Sequence, residues 1–348
     1  MRSEIPPEAL GIKIPGVPAA LIAQHPLPER DASRLMVLDR ARGNIAHAAF
    51  RDISRFLRPG DLLVLNDTRV RPVRILGRRA TGGKIQALLV SPAGEGVWVS
   101  FIQSRGRLRE GEILLFEDRI EATMAGRTPE GMFLLRFGRD GASDIMAAGR
   151  APLPPYIRRS EDDPYRAEDL DRYQTVFARE PGAIAAPTAG LHFTPALLKA
   201  LRGDGIRIAT VTLHVGLGTF QPLMENHLRE GRLHREWYRC PPETLREVRE
   251  ARSEGRRVIA VGTTSCRVLE TVFGAREPVI EGWTDIFIRP PHQFRAVDAL
   301  LTNFHLPGTS LVLLVAAFAG ITLTETAYGE AVRLSYRFYS YGDAMFIG

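Results

Sequence analysis

Hydrophobic and polar positions fall into two textures along the 348 residues of the chain. In the first, short apolar or alternating segments follow one another with no helical period between them. They are 32–39, 61–66, 70–76, 84–90, 96–102, 112–116, 119–125 and 132–137. Turn sequences punctuate them: T-G-G, P-A-G-E-G, R-E-G and T-P-E-G. Short strands at this spacing, joined by Gly-rich turns, predict a small antiparallel barrel or sandwich. The segment 61–66 (D-L-L-V-L-N) is apolar almost throughout, as a fully buried strand is, and runs into a polar turn, N-D-T-R.

The second texture begins after a proline-rich connector at 151–157. Strand patterns at 206–214, 257–261, 283–288 and 299–304 alternate with helical ones at 242–253, 265–273 and 311–320. The last helix is apolar on every side, hence buried. Such alternation predicts α/β architecture with parallel strands. In that architecture ligands bind beyond the carboxyl ends of the strands. Four segments at such places are dense in Gly, Thr, Ser, Asn and His: 186–193 (A-P-T-A-G-L-H-F), 214–220 (H-V-G-L-G-T-F), 262–265 (G-T-T-S) and 303–310 (N-F-H-L-P-G-T-S). Thr194-Pro195 follows the first as an N-cap and first-turn pair for a helix. Small polar residues at one such turn are ordinary caps. Four at equivalent places, three with a histidine, mark a site.

Composition narrows the chemistry. Apolar residues are 45% and charged residues 25% of the chain, as in ordinary globular proteins. The longest apolar run, 311–321, is half of what a membrane span requires. No apolar signal segment is visible near residue 1. Cys240 and Cys266 are the only cysteines, too few for a disulfide framework or a cysteine-built zinc site. A cytoplasmic protein is expected. Net charge is +6, and only three of the 46 basic residues are lysines. A basic excess suits a polyanionic partner, although spread over a chain this long it is modest. Motifs for common chemistries are missing. Gly82-Gly83-Lys84 is followed by Ile85 and is no P-loop, Gly216 and Gly218 do not begin G-x-G-x-x-G, and there is no G-x-S-x-G, H-E-x-x-H or C-x-x-C.

Long runs now become recognisable. They include L-I-A-Q-H-P-L-P-E-R-D-A-S-R-L (21–35), G-D-L-L-V-L-N-D-T-R-V (60–70), P-L-P-P-Y-I (152–157) and Y-Q-T-V-F-A (173–178). Further on stand P-G-A-I-A-A-P-T-A-G-L-H-F (181–193), V-T-L-H-V-G-L-G-T-F-Q-P (211–222), V-I-A-V-G-T-T-S (258–265), V-D-A-L-L-T-N-F-H-L-P (297–307) and Y-S-Y-G-D-A-M-F-I (339–347). Through them the chain closely resembles the S-adenosylmethionine:tRNA ribosyltransferase-isomerases of queuosine biosynthesis. It departs from the family pattern in four places: Gly231, where a histidine is usual; Arg289-Pro-Pro-His292; Gln86; and Cys266.

The resemblance implies a barrel-like α/β catalytic domain (1–60 and 152–348) with a small antiparallel β-barrel inserted at 61–151. It implies transfer and isomerisation of the ribosyl part of S-adenosylmethionine onto a 7-aminomethyl-7-deazaguanine base. That base is at the first anticodon position of a tRNA. The product is epoxyqueuosine-tRNA, and adenine and methionine leave. No metal, no permanently bound cofactor, no membrane and no obligate protein partner are implied. Carried onto the matching runs, the substrate-binding residues are Asn66, Thr68, Arg69, Tyr156, Thr188 and Gly190; Gly216, Gly218, Thr219 and His234; Gly262, Thr263, Thr264 and Ser265; and Asn303, His305 and Asp343. Arg71, Arg74, Arg78 and Arg79 are the expected tRNA contacts.

The sulfonium acidifies the adjacent ribose C5′ protons, so the reaction needs a positioned base. His192 stands just before a helix N-terminus, whose dipole keeps imidazole neutral. His214 leads into Gly216 and Gly218, where substrate can approach the backbone. These two rank first. Glu236, paired with His234 on an extended segment, is the carboxylate alternative, and His305 suits packing or capping. Two other functions stay open: ribosyl transfer to a small-molecule acceptor, which tRNA binding would argue against, and a non-catalytic tRNA-binding protein, which adenine release would exclude.

Overall fold

The computed structural model describes residues 10–138, 141–160, 164–216, 218 and 223–348. The strands of the first half are β1 (Arg34–Asp39), β2 (Asn44–Ala49), β3 (Leu62–Asn66), β4 (Thr68–Val70), β5 (Arg74–Arg79), β6 (Lys84–Pro92), β7 (Val97–Ser104), β8 (Ile113–Phe116), β9 (Ile120–Arg127) and β10 (Phe133–Phe137). Helices α1 (Gly141–Ala148) and α2 (Arg166–Arg172) lead to β11 (Glu180–Ala183), α3 (Pro195–Gly203) and β12 (Arg207–Leu213). Then come α4 (Glu225–Glu230), β13 (Arg232–Arg239), α5 (Pro242–Ser253), β14 (Val258–Val261), α6 (Gly262–Gly274), β15 (Glu281–Ile286) and β16 (Ala299–Asn303). Helices α7 (Ser310–Ala319) and α8 (Ile321–Arg333) and strand β17 (Ala344–Ile347) complete the chain.

The expected α/β architecture is present. One nine-stranded mixed sheet has the order β15-β13-β12-β3-β14-β16-β17-β1-β2, and its centre, β12, β3, β14 and β16, is parallel. Alternate residues of these strands enter two separate cores. Leu62, Val64, Val258, Ala260 and Leu300 pack on one face with α5, α6, α7 and α8. Leu63, Leu65, Ile259, Val261, Ala299 and Leu301 pack on the other with Leu197, Leu198 and Leu201 of α3. Strands covered on both faces have no polar side, which is why they read as unbroken apolar runs. Thr194 caps α3 as its sequence suggests, its Oγ1 accepting from the Leu197 amide at 3.0 Å.

The second body is the expected closed antiparallel barrel, in the order β10-β7-β6-β5-β8-β9. Its interior is filled by Ile75, Ile85, Ala87, Leu89, Leu114, Phe116, Leu135 and their neighbours. Chain entry and exit lie side by side, since the backbones of Arg74 and Arg150 exchange hydrogen bonds at 3.3 and 2.8 Å.

Three details differ from the sequence reading. Segment 61–66, assigned there to the insert, is β3 at the centre of the large sheet. Its five buried residues match a parallel strand covered on both faces, not a barrel strand with one wet side. Segment 70–76 is broken: β4 pairs in parallel with β11, and the barrel begins only at β5. Residues 262–265 form no loop. Gly262 takes φ +89, so β14 turns directly into α6 and 262–265 is the first helical turn. Among the described residues no single helix is long and apolar enough to cross a membrane; α7 and α8 together have the length, but they are bent by 116°.

Candidate active site

The carboxyl ends of β14 and β16, the residues following β12 and the connector 154–156 surround one cavity of about 440 Å3. Its wall is made by 185–189, Val215, 262–264, 302–309, Tyr339 and Ser340. All four polar segments of the sequence therefore contribute to one place. Of the residues carried over from the family runs, Thr188, Gly262, Thr263, Thr264, Asn303, His305 and Tyr156 line it.

The wall has an aromatic side and a polar side. The Tyr156 and Tyr339 rings stand 4.9 Å apart at 52°, and the Tyr156 hydroxyl shares a 2.7 Å hydrogen bond with Ser340 Oγ. Burial pushes the Tyr156 phenol up to about 12, so it stays protonated. Asn303 Nδ2 donates to the Tyr339 carbonyl at 2.9 Å, and the rest of its amide faces the His192 ring. Thr264 Oγ1 is buried without a partner. Buried polar atoms are nearly always satisfied, so unpartnered ones gathered at a cavity wall mark where a polar ligand binds. His305 is, among the described residues, the histidine of this wall. Its Nε2 lies 2.7 Å from Thr302 Oγ1, and its amide donates to the Tyr328 hydroxyl at 2.9 Å. Burial pulls its imidazole down to about 4, which keeps it neutral near pH 7.

A smaller cavity of about 50 Å3 adjoins the first and shares Leu223, Arg267, Thr309 and Leu311 with it. Gly218, His234 and Glu236 are in its wall. A Cβ at Gly218 would come within 2.7 Å of the His234 ring, so a larger residue there would displace His234. His234 is exposed and packs edge-on against His227, with ring centres 4.9 Å apart. Glu236 is buried; Oε1 accepts from the Gly216 amide at 3.0 Å and Oε2 is ion-paired with Arg267 Nη1.

Other expected residues lie outside both walls. His192 is buried behind the larger cavity, stacked on Phe50 at 4.9 Å with Nδ1 2.7 Å from Ser33 Oγ. Burial, the largest effect, lowers its imidazole to about 4; the Asp343 carboxylate and a hydrogen bond to the Asn303 side chain act in the other direction. His214 stacks on Trp237 at 4.8 Å, rests against Gly182 and hydrogen-bonds Thr68 Oγ1 through Nδ1 at 2.8 Å. Sequence placed both near the site but not the side of the loop each ring takes. Asn66 binds backbone on β12, accepting from the Leu213 amide at 3.0 Å. Asp343 accepts from the Arg34 and Arg337 amides at 2.9 and 2.8 Å and pairs with the Arg34 side chain. Ser265 Oγ donates to the Val261 carbonyl at 2.9 Å inside α6. Gly190 packs against Phe177 and Thr175, and exposed Arg69 donates to the Ala178 carbonyl at 3.4 Å. Thr219 is outside the described residues.

The arginines of the barrel divide as well. Arg78 is exposed. Arg71 donates to the Val90 carbonyl at 3.2 Å, and Arg74 to Gln86 Oε1 at 2.9 Å. Arg79 grips Glu112 at 2.5 and 2.9 Å and holds the carbonyls of Arg105 and Arg107 at 3.2 and 3.3 Å.

Sequence reading missed Arg267, Tyr173, Tyr339 and Ser340, which line the larger cavity. Arg267 was hidden among many arginines. Its signal was position, one helical turn after Thr263 and Thr264 and so on their face of α6. Among the described residues no group of three or more His, Cys, Asp or Glu could hold a metal ion.

A cavity of about 440 Å3 with unpartnered polar atoms, at the carboxyl ends of a parallel sheet core, stands where α/β proteins bind small molecules. Comparison with known proteins gives the family. A family model described as queuosine biosynthesis protein matches residues 16–347. The S-adenosylmethionine:tRNA ribosyltransferase-isomerase of Thermotoga maritima is 47% identical over 334 residues, covering 95% of this chain and 97% of that protein. Its Geobacter sulfurreducens counterpart is 50% identical over 337 residues, covering 95% and 97%. A crystal structure of S-adenosylmethionine tRNA ribosyltransferase from Thermotoga maritima superposes with TM-score 0.55 at 38% identity, covering 96% of this chain and 99% of that one. The chain belongs to the queuosine biosynthesis protein family.

Proposed function

We propose that this chain acts as an S-adenosylmethionine:tRNA ribosyltransferase-isomerase, with the 440 Å3 cavity as the place where the ribosyl group is transferred. The reaction joins the ribosyl part of S-adenosylmethionine to the aminomethyl nitrogen of the 7-deazaguanine base in tRNA. Loss of adenine and methionine leaves an epoxycyclopentanediol on that nitrogen. The observation that carries this reading is the convergence of the family's polar runs on one cavity lined by Asn303 and by buried, unpartnered atoms of Thr264 and Arg267.

The residues of the wall divide the work. The sulfonium makes the C5′ protons acidic, and His305, as the histidine lining this cavity among the described residues, is our candidate for the base that takes one. This replaces His192 and His214, which face other packing. Tyr156 and Tyr339 offer flat apolar surface for a purine or deazapurine ring. Thr264 supplies a hydrogen bond to ribose or base.

Exposed Arg78, with Arg105 and Arg107 in the turn ordered by Arg79, forms the barrel's contribution to tRNA binding. In this reading the barrel from β5 to β10 is an insert in a catalytic α/β domain. The enzyme is cytoplasmic, needs no metal and has no obligate protein partner.

The test is incubation with S-adenosylmethionine and precursor-bearing tRNA, in chelator, followed by nucleoside mass spectrometry. Epoxyqueuosine with equal amounts of adenine and methionine is expected. Adenine release with unmodified tRNA overturns the tRNA acceptor; tRNA binding without adenine release overturns catalysis.

A further inference from the structure

Arg79, Arg159 and Arg257 each hold a carboxylate through the same edge of the guanidinium. Nε and Nη2 donate to Glu112 at 2.5 and 2.9 Å, to Asp169 at 2.7 and 3.0 Å, and to Asp61 at 3.0 and 2.5 Å. That edge presents two parallel N–H groups at the spacing of two carboxylate oxygens, the strongest planar match available to the side chain.

Arg267 uses its guanidinium differently. Nη1 donates to Glu236, while Nε and Nη2 are buried and have no acceptor among the described residues. The side chain is only 8% exposed, so water does not readily replace the missing acceptor. It stands in the wall common to both cavities, with Thr263 and Thr264 one turn earlier on α6. Leaving donors of a buried cation unmet is costly, and such an arrangement persists where a ligand completes it.

We propose that the Nε/Nη2 edge of Arg267 binds the α-carboxylate of S-adenosylmethionine, and that Glu236 is the positioning residue that turns this edge toward the cavities. The proposal rests on the function given above and adds a substrate subsite to it. Glu236 is itself fixed by the Gly216 amide at 3.0 Å, so the loop after β12, strand β13 and helix α6 are tied together behind the guanidinium. The pair is neutral as a unit, which makes Arg267 tolerable in a buried wall before a ligand arrives. The alternative oxyanion source is a tRNA phosphate, and the experiment separates the two.

Titration calorimetry compares S-adenosylmethionine with decarboxylated S-adenosylmethionine on the wild-type chain and on the Arg267→Met and Arg267→Lys variants. tRNA affinity is measured alongside. The wild type is expected to prefer the carboxylated ligand by about 10- to 100-fold, the range for hydrogen bonds to a charged group. Arg267→Met loses that preference, Arg267→Lys keeps part of it, and tRNA affinity is unchanged in both. Arg267→Lys retains a cation beside Glu236, so it keeps the comparison available if Arg267→Met does not fold. Equal wild-type affinity for both ligands, or full preference in both variants, overturns the proposal. Lost tRNA affinity with intact ligand preference also overturns it, and assigns Arg267 to a phosphate. Product formation by a wild type lacking the preference overturns this subsite alone; no wild-type binding of S-adenosylmethionine overturns the functional reading with it.

Discussion

Glu236 and Arg267 form an ion pair between β13 and α6 with side chains only 5% and 8% exposed, and Arg267 gives it one nitrogen of three. With its other oxygen on the Gly216 amide, the carboxylate has both oxygens engaged, from which we infer a commitment to geometry and not to proton transfer.

Glu236→Gln tests that commitment. The amide keeps the shape but removes the charge, and breaking a buried pair costs about 3–5 kcal/mol. The melting temperature should fall and the KM for S-adenosylmethionine should rise, while kcat changes by less than about tenfold. A kcat loss of about 10²–10⁴-fold at unchanged KM is the signature of a general base and would return Glu236 to that role.

The three histidines of the polar segments separate by the same logic. His305→Asn removes the imidazole from the cavity wall and should lower kcat by about 10²–10⁴-fold while S-adenosylmethionine still binds. His192→Asn and His214→Asn remove the stacking partners of Phe50 and Trp237 and should lower stability with kcat near wild type. Single-turnover rates with thermal melts on all three decide the assignment. A His214 or His192 variant that is stable but inactive contradicts it.

What sequence could reveal follows from this contrast. The apolar runs of β3, β14 and β16 were legible because strands buried on both faces carry no polar residue inside. The segments after β14 and β16 were legible because turns at strand ends need small polar residues. Orientation was not. His192 and Thr188 share one 3-10 turn, yet Thr188 lines the cavity and His192 faces Ser33. Ser265 and Thr264 are neighbours in α6, where a 100° step sends one hydroxyl to the Val261 carbonyl and leaves the other at the cavity. Only the packing of distant elements chooses between such faces. β3 was assigned to the wrong body for a related reason, since its partners β12 and β14 lie far along the chain.

Acid should destabilise the fold partly through His192. Its pKa is lowered from 6.5 to about 4 in the folded chain, chiefly by burial, so the unfolded chain binds more protons between those values. The neutral ring therefore stabilises the fold above pH 6.5, by an amount on the order of 3 kcal/mol that is lost as pH falls toward 4. Urea midpoints measured between pH 7 and pH 4.5 should fall less steeply in His192→Gln than in wild type. Parallel curves for the two proteins would show that other groups govern the acid limb.

Arg78 and Arg79 are adjacent in β5 but face different tasks, and a charge reversal at each should fail differently. Arg78 is exposed and free to meet a phosphate, so Arg78→Glu should weaken tRNA binding and reduce its salt slope by about 0.7–0.9, with melting unchanged. The Arg79 side chain is 16% exposed and holds Glu112 together with the carbonyls of Arg105 and Arg107. Arg79→Glu puts two carboxylates together there, so it should lower the melting temperature and release the 105–107 turn. Its effect on tRNA should then exceed that of one lost contact, because Arg105 and Arg107 lose their placement too. Filter binding from 50 to 200 mM salt, with melts on the same samples, separates the cases. If Arg78→Glu leaves both affinity and slope unchanged, β5 does not face the tRNA and the basic excess of the barrel is only its solvated surface.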